Sequence, residues 1–209
     1  MYMARVTFAL IGINAVVFFL QLAIGGFTDL FALTPEMALR GAWWQFLTYM
    51  FLHGGTMHIG MNMFVLFLFG EIIERALGTV RYILLYLVSG LGSALIYMIL
   101  TGFLDSPMLG TQMLGASGAV FGIMAAYGLM FPKEKIWVPI FVVPLPAFTV
   151  VILFAAVEFI LGIFGLEQGI ANFGHFGGII TGVFMTWYWK RTTRPRDISE
   201  RRNYEFFWE

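Results

Sequence analysis

The sequence predicts an all-α membrane protein, a bundle of six transmembrane helices, and three observations lead to that prediction. Hydrophobic residues make up 60% of the chain and charged residues only 11%, unlike the composition of a soluble domain. The apolar residues fall into runs of about 20, the length that crosses a bilayer as a helix. Short connections separate the runs, without a Pro/Ser-rich linker or a repeat. We therefore expect one domain over residues 1–209.

Each predicted span is an apolar run, with about 20 residues taken as one crossing. The first run lacks the small-residue cleavage pattern of a secretory signal, so we expect a retained helix. The fifth run has prolines near its start, and the sixth is interrupted only by small and polar residues. The predicted spans cover residues 6–24, 52–70, 80–101, 115–131, 138–164 and 173–189, and a tail follows over residues 190–209.

The basic residues predict how the bundle is oriented. An even number of spans places both ends of the chain on one side, and all but one of the 12 basic residues fall on that side. Only Arg40 lies opposite. This asymmetry predicts cytoplasmic termini in the cell membrane. It also indicates that the basic tail is a topology signal and contacts lipid headgroups. We therefore expect the lipid bilayer as a partner and no nucleic acid.

The first outer loop, about residues 25–46, is unusually apolar for a connection. It carries Trp43 and Trp44 together with several phenylalanines and leucines. Tryptophan side chains concentrate at the headgroup level of membranes. We therefore expect the loop to lie partly in the membrane interface, where it anchors the bundle.

Polar side chains inside predicted spans are costly in hydrocarbon and therefore mark candidate functional sites, with helix packing as the competing explanation. Four segments contain them: HGGTMHIGMN at 53–62, GASG at 115–118, Glu158, and NFGHFGG at 172–178.

The glycines in two of these segments indicate that the fourth and sixth spans approach closely. Gly118 and Gly122 form a small-xxx-small pair, and Gly174, Gly178 and Gly182 repeat every four residues. Such strips let helix backbones come together. Ser117 and His175 lie beside them, so we expect these two side chains to meet.

A serine beside a histidine suggests nucleophilic catalysis, because the hydroxyl is a weak nucleophile until a base accepts its proton. Ser117 would be the nucleophile and His175 the base, as a dyad, since no acid is an evident third member. Glu158 is left as a packing or hydrogen-bonding residue. Phe121 is a candidate to stack on the imidazole, and Asn172 to donate a hydrogen bond.

Acyl transfer also requires donors for the developing oxyanion. On the second span His58 and Asn62 lie four residues apart, which places them on one helix face. A packing pair is the alternative interpretation. With the backbone N–H of Ser117, they are the candidate oxyanion donors.

Taken in order, these segments resemble the rhomboid family of intramembrane serine proteases. The resemblance covers nearly the whole chain: an aromatic pair ending the first outer loop, His-x4-His-x3-Asn in the second span, Gly-x-Ser-Gly opening the fourth, and His-x-x-Gly-x3-Gly in the sixth. It implies a six-helix rhomboid-like bundle. It also implies that Ser117 and His175 are catalytic and that His58 and Asn62 lie on the oxyanion side. Supporting positions would be His53 at the mouth of the site, Phe121, Asn172, Gly115 and Gly118.

The resemblance further implies a water-filled cavity open to the outer face and, as substrates, membrane proteins with a single span. The fifth span and the loop at 165–169 are candidates for a gate and a cap, and a simple short connector is an equally good interpretation of the loop. Glu74 and Arg75, followed by Leu77 and Gly78, would belong to a structural turn after the second span. Two positions differ from what the family leads us to expect: Gln45 stands where an arginine is common, and Phe121 where a tyrosine is frequent.

Other functions are less well supported by the sequence. The HExxH helix of a zinc protease is absent, and no aspartate lies within a predicted span, so we expect neither a metal nor a cofactor. A small transporter would show repeated halves with broken helices, which the sequence lacks. In a non-catalytic relative that binds membrane clients, we would expect Ser117 or His175 to be replaced.

Overall fold

The computed structural model describes residues 4–104, 110–137, 144–164 and 170–192, and in these residues it is almost entirely helical. The prediction of an all-α membrane bundle is confirmed. In chain order the helices are α1 (Arg5–Ala23), α2 (Phe27–Phe31), α3 (Pro35–Leu39), α4 (Gln45–Thr48), α5 (Thr56–Leu77), α6 (Thr79–Leu104), α7 (Ser117–Met130), α8 (Ala147–Phe164) and α9 (Ile170–Thr192).

The six long helices of the described chain overlap the segments of the six predicted spans, with shifted boundaries. By length and apolarity, Arg5–Ala23, Thr56–Leu77 and Thr79–Leu100 are long enough to cross a bilayer, whereas Ser117–Met130 and Ala147–Leu161 are apolar but shorter. The second span begins at Thr56 instead of residue 52, because residues 52–55, which follow a 3-10 turn at Tyr49–Phe51, are not helical. The tail at 193–209 and the loop at 165–169 lie outside the described residues.

The predicted start of the fifth span at residue 138 is wrong, since α8 begins at Ala147. Before it, Lys135–Ile136 (β1) pair antiparallel with Leu145–Pro146 (β2). The backbone N–H of Ala147 also donates to the Glu134 carbonyl at 2.7 Å. An apolar segment rich in proline thus includes a strand pair instead of a first helical turn. Pro139 lies outside the described residues.

The first outer loop is a folded unit of short helices attached to the bundle. Leu33 and Met113 exchange backbone hydrogen bonds of 2.9 and 2.8 Å. Gln45 is buried, its Oε1 accepting from the Thr34 N–H at 3.1 Å and its Nε2 donating to the Leu30 carbonyl at 3.3 Å. A neutral amide therefore organises this loop where an arginine was expected. Trp43 is the outward member of the aromatic pair, 76% exposed.

Helix α7 lies at the centre of the bundle, and small residues allow its neighbours to approach. Every residue from Gly118 to Gly128, with the exception of Phe121, is buried. A methyl group added at Gly118 or Gly122 would collide with the serines of α6, Ser93 and Ser89 respectively. On another side of α7, Gly178 and Gly182 of α9 lie backbone against backbone on Gly118 and Gly122. The close approach of the fourth and sixth spans is the arrangement that the glycine spacing predicts.

A buried carboxylate joins α1 to α5. Glu74 is fully buried and accepts hydrogen bonds from the backbone N–H groups of Val6, at 3.1 Å, and Thr7, at 2.8 Å. The Thr7 hydroxyl donates to it as well, at 2.7 Å. These bonds satisfy N–H groups that the first turn of a helix leaves unpaired. Glu74 lies in the last turn of α5, ahead of the turn in which it was expected, and it fixes the start of α1.

Candidate active site

Three of the predicted site residues lie near the beginnings of parallel helices. His58 is in the first turn of α5, Ser117 is the first residue of α7, and His175 is in the second turn of α9. The basic residues Arg75, Lys190 and Arg191 lie in the last turns of α5 and α9, at the opposite end of the bundle. The candidate site is therefore at the end remote from the basic residues.

Ser117 and His175 meet in hydrogen-bonding geometry. Ser117 Oγ lies 2.7 Å from His175 Nε2, and both side chains are half-buried. The contact depends on the glycine strips, because Gly178 and Gly182 let α9 lie directly against the α7 backbone at Gly118 and Gly122. A hydroxyl at this distance from an imidazole nitrogen has the geometry of an activated nucleophile.

The other ring nitrogen of His175 faces an acid that the sequence analysis did not place in the site. His175 Nδ1 lies 3.0 Å from Oε2 of Glu158 on α8, whose side chain is only 13% exposed. The sequence did contain a signal, because Glu158 is the single charged residue in the sequence of α8. The sequence does not identify the hydrogen-bonding partner of Glu158, because contacts between residues on different helices follow no fixed sequence spacing.

Phe121 lies one turn along α7 from Ser117 and packs on the imidazole of His175. Its ring centroid is 4.9 Å from that of His175, with 32° between the ring planes. Phe154 of α8 packs edge-on against Phe121 at 6.1 Å. The imidazole is thus held on one face by an aromatic ring and at its edge by a carboxylate.

His58 lies next to Ser117, and both side chains lie close to the backbone of Gly115. A methyl group at Gly115 would stand 2.9 Å from His58 Nε2 and 3.5 Å from Ser117 Oγ. Gly115 also has φ of 134°, which disfavours other residues. The Gly54 N–H donates to His58 Nδ1 at 3.3 Å. Since a neutral imidazole carries one hydrogen, that bond leaves the N–H on Nε2, the atom on the serine side.

Asn62 and His53 border the site without touching the serine in the described contacts. Asn62 Nδ2 donates to the His58 carbonyl at 2.9 Å, which uses one of its two hydrogens. The His53 ring packs edge-on against His58 at 5.2 Å. Gln21 of α1 fixes the His53 backbone, its Oε1 accepting from the His53 N–H at 2.8 Å. Burial lowers the pKa of His53 to about 4, so the ring is neutral at pH 7.

Asn172 is buried one turn before His175 on α9. Its Nδ2 has no hydrogen-bond partner within the described part of the chain, and its predicted bond to the imidazole is not among the contacts there. Nδ1 of His175 is instead occupied by Glu158.

These contacts bring together a serine hydroxyl, the imidazole of His175, a carboxylate on its other nitrogen, and a second imidazole beside the serine. The fold and site together define the class: a multi-pass helical membrane protein with the serine and histidine arrangement of a hydrolase. The family model described as Rhomboid domain matches residues 40–192, which include each of these site residues. The chain belongs to the rhomboid family.

Individual relatives agree with this assignment. The chain is similar to Rhomboid protease AarA of Providencia stuartii, 32% identical over 202 residues that cover 86% of this chain and 70% of the relative. It is also similar to Rhomboid protease GlpG of Haemophilus influenzae, 30% identical over 140 residues, 67% of this chain and 66% of that one. RHOMBOID-like protein 4 of Arabidopsis thaliana is 36% identical, and there the match spans 33% of the relative's length.

Proposed function

We propose that the protein is an intramembrane serine endopeptidase in which Ser117 attacks a peptide carbonyl and His175 is the general base. The observation that carries the proposal is the 2.7 Å contact between Ser117 Oγ and His175 Nε2. The imidazole would accept the serine proton during attack and return it to the leaving amine. Water would then release the acyl group from Ser117 with the help of the same base.

The surroundings of Ser117 support an oxyanion role for His58. Its Nε2–H lies on the serine side of Gly115, as the bond from Gly54 to Nδ1 requires. The first N–H groups of α7, beginning with that of Ser117, have no intrahelical acceptor, and such helix starts favour negative charge. We assign the remaining amide hydrogen of Asn62 to the same oxyanion.

The length of α7 supports a site below the membrane surface. Fourteen residues extend about 21 Å, at about 1.5 Å per residue. The hydrocarbon core of a bilayer is about 30 Å thick. If Met130 lies at one edge of the core, Ser117 falls short of the other edge, which fits a cavity that opens to the outer face.

The proposed substrates are proteins with a single membrane span, cleaved in or near that span. A helical peptide bond is shielded, so the substrate helix must unwind before its carbonyl reaches Ser117. The basic residues at the end remote from the site support cytoplasmic termini in the cell membrane. We expect cleavage near the outer surface.

The proposal is tested with purified protein in liposomes, a single-span reporter and a fluorophosphonate probe. Wild type should cleave the reporter and become labelled, Ser117→Ala should do neither, and His175→Ala should lose cleavage and most labelling. If wild type binds the reporter but neither cuts it nor reacts with the probe, the protein is a client-binding member and the proposal is wrong.

A further inference from the structure

A Ser-His dyad does not use the carboxylate of Glu158, although its Oε2 lies 3.0 Å from His175 Nδ1. We propose that Glu158 is a positioning residue that fixes the tautomer and orientation of His175, so that α8 supplies the third member of a Ser117–His175–Glu158 triad. The inference rests on the proposed function, in which His175 is the base.

The first step concerns which nitrogen carries the hydrogen. To accept the serine proton, His175 must present a lone pair at Nε2, so its hydrogen must be on Nδ1. A carboxylate can only accept, and Glu158 Oε2 lies 3.0 Å from Nδ1. The bond therefore selects the tautomer that the reaction needs. Without it, a neutral imidazole is free to carry its hydrogen on Nε2, which would block proton transfer from Ser117.

The second step concerns charge. When His175 accepts the serine proton it becomes an imidazolium, and a carboxylate 3.0 Å from Nδ1 stabilises that cation. The two side chains are 22% and 13% exposed, so water screens this attraction less than it would at an open surface. This stabilisation develops as the proton moves from Ser117 to His175, so it lowers the barrier to attack.

The alternative role, packing α8 onto α9, already has residues assigned to it. Phe159, the next residue along α8, stacks on Phe176 with ring centroids 5.1 Å apart and meets Phe173 edge-on at 6.2 Å. These apolar contacts hold the helices together without a charge. A carboxylate in an otherwise apolar membrane helix is costly, and its hydrogen-bonding partner here is the base.

Two substitutions separate the roles. Glu158→Gln keeps the shape but offers an amide that can also donate, and Phe159→Leu weakens the helix contact while leaving the carboxylate. We expect Glu158→Gln to lower kcat for the single-span reporter on the order of 10²- to 10⁴-fold, with KM and the thermal midpoint little changed. Phe159→Leu should lower the thermal midpoint and keep kcat within a few-fold.

A spectroscopic readout makes the inference independent of proteolysis. The chain has 3 histidines, so ¹⁵N-histidine spectra assigned with His175→Ala report the tautomer of the base directly. Wild type should show hydrogen on Nδ1 of His175, and Glu158→Gln should shift the ring towards the other tautomer. Glu158→Asp restores the charge and should recover part of both the tautomer signal and kcat. If Glu158→Gln does not fold, Glu158→Asp becomes the deciding variant.

The outcomes distinguish this inference from the proposed function. If Glu158→Gln keeps the wild-type kcat and the wild-type tautomer, Glu158 is a packing residue and the inference is wrong. If wild type neither cleaves nor labels, the proteolytic function fails. The tautomer spectra then still decide whether Glu158 orients His175.

Discussion

Gly178 of α9 lies directly on the backbone of Gly118 of α7, with no room for a side chain between the two helices. The same relationship recurs one turn on, between Gly182 and Gly122. Because Ser117 precedes Gly118 and His175 lies three residues before Gly178, the distance between the proposed nucleophile and base depends on this helix contact.

We expect Gly178→Ala to destabilise the bundle and to impair catalysis together. Its methyl group would meet the Gly118 backbone, which cannot rotate away as a side chain can. Overpacking of this kind costs about 1–3 kcal/mol or more. Thermal unfolding in detergent and reporter cleavage measure the two effects.

Gly12→Ala in α1 is the matched control, since no atom lies within 4 Å of a methyl group added there. It should leave the thermal midpoint and kcat near wild type. Equal behaviour of the two variants would mean that the α7–α9 contact does not limit stability.

Phe121 offers a second test, because its side chain contacts the proposed base, His175, without any polar group. We expect Phe121→Leu to lower kcat on the order of tenfold, since the imidazole loses the ring that packs 4.9 Å from it. Phe121→Tyr should keep most activity because the ring remains. Phe64→Leu on α5, where the side chain is 56% exposed, controls for loss of an aromatic residue from the bundle. A Leu variant with the wild-type rate would show that the stacking is dispensable.

The sequence was sufficient for the helical bundle and for the meeting of Ser117 and His175, because hydropathy and glycine spacing are properties of single helices. It was not sufficient for Glu158. Apart from Thr149 and Glu158, helix α8 is apolar on every side, so its hydropathy pattern does not show which side faces α9. The predicted start of the fifth span was wrong for a related reason. Hydropathy does not distinguish the residues that pair in β1 and β2 from a first helical turn.

Glu74 provides a stability prediction that is remote from the site. Glu74→Gln should lower the free energy of unfolding by about 1–3 kcal/mol, because an amide replaces a buried, charged acceptor of three hydrogen bonds. Glu71→Gln is the control: its ion pair with Arg75 is about one-third exposed, and such pairs contribute about 1 kcal/mol or less. Chemical denaturation in mixed micelles measures both. Equal losses would contradict a capping role for Glu74.

From the burial of His53 we expect the folded protein to lose stability in acid. Its pKa is lowered to about 4 by burial, with His58 as the neighbouring titratable ring. A lowered histidine pKa means that the fold favours the neutral ring. The stabilisation is complete above the unfolded value of about 6.5 and is lost as pH falls towards 4. His53→Gln should therefore show a flatter thermal midpoint between pH 7 and pH 4.5, and curves that run parallel to wild type would contradict this.

The oxyanion role of Asn62 can be separated from its structural role because the chain contains a structural twin. Asn62 Nδ2 donates to the His58 carbonyl at 2.9 Å, and Asn14 Nδ2 donates to the Leu10 carbonyl at 2.8 Å, each four residues back along its own helix. Both side chains are buried, at 6% and 0% exposure. Truncation to alanine removes the same bond in each case, but only Asn62 lies beside the site.

We therefore expect Asn62→Ala to lower kcat on the order of 10²- to 10³-fold, the effect of removing one oxyanion donor. Asn14→Ala should lower the thermal midpoint at least as much while kcat changes only a few-fold. Reporter cleavage at saturating substrate, measured beside thermal unfolding, separates the two effects. If Asn62→Ala loses no more activity than Asn14→Ala at equal loss of stability, Asn62 is a packing residue, and the oxyanion would depend on His58 and the first N–H groups of α7.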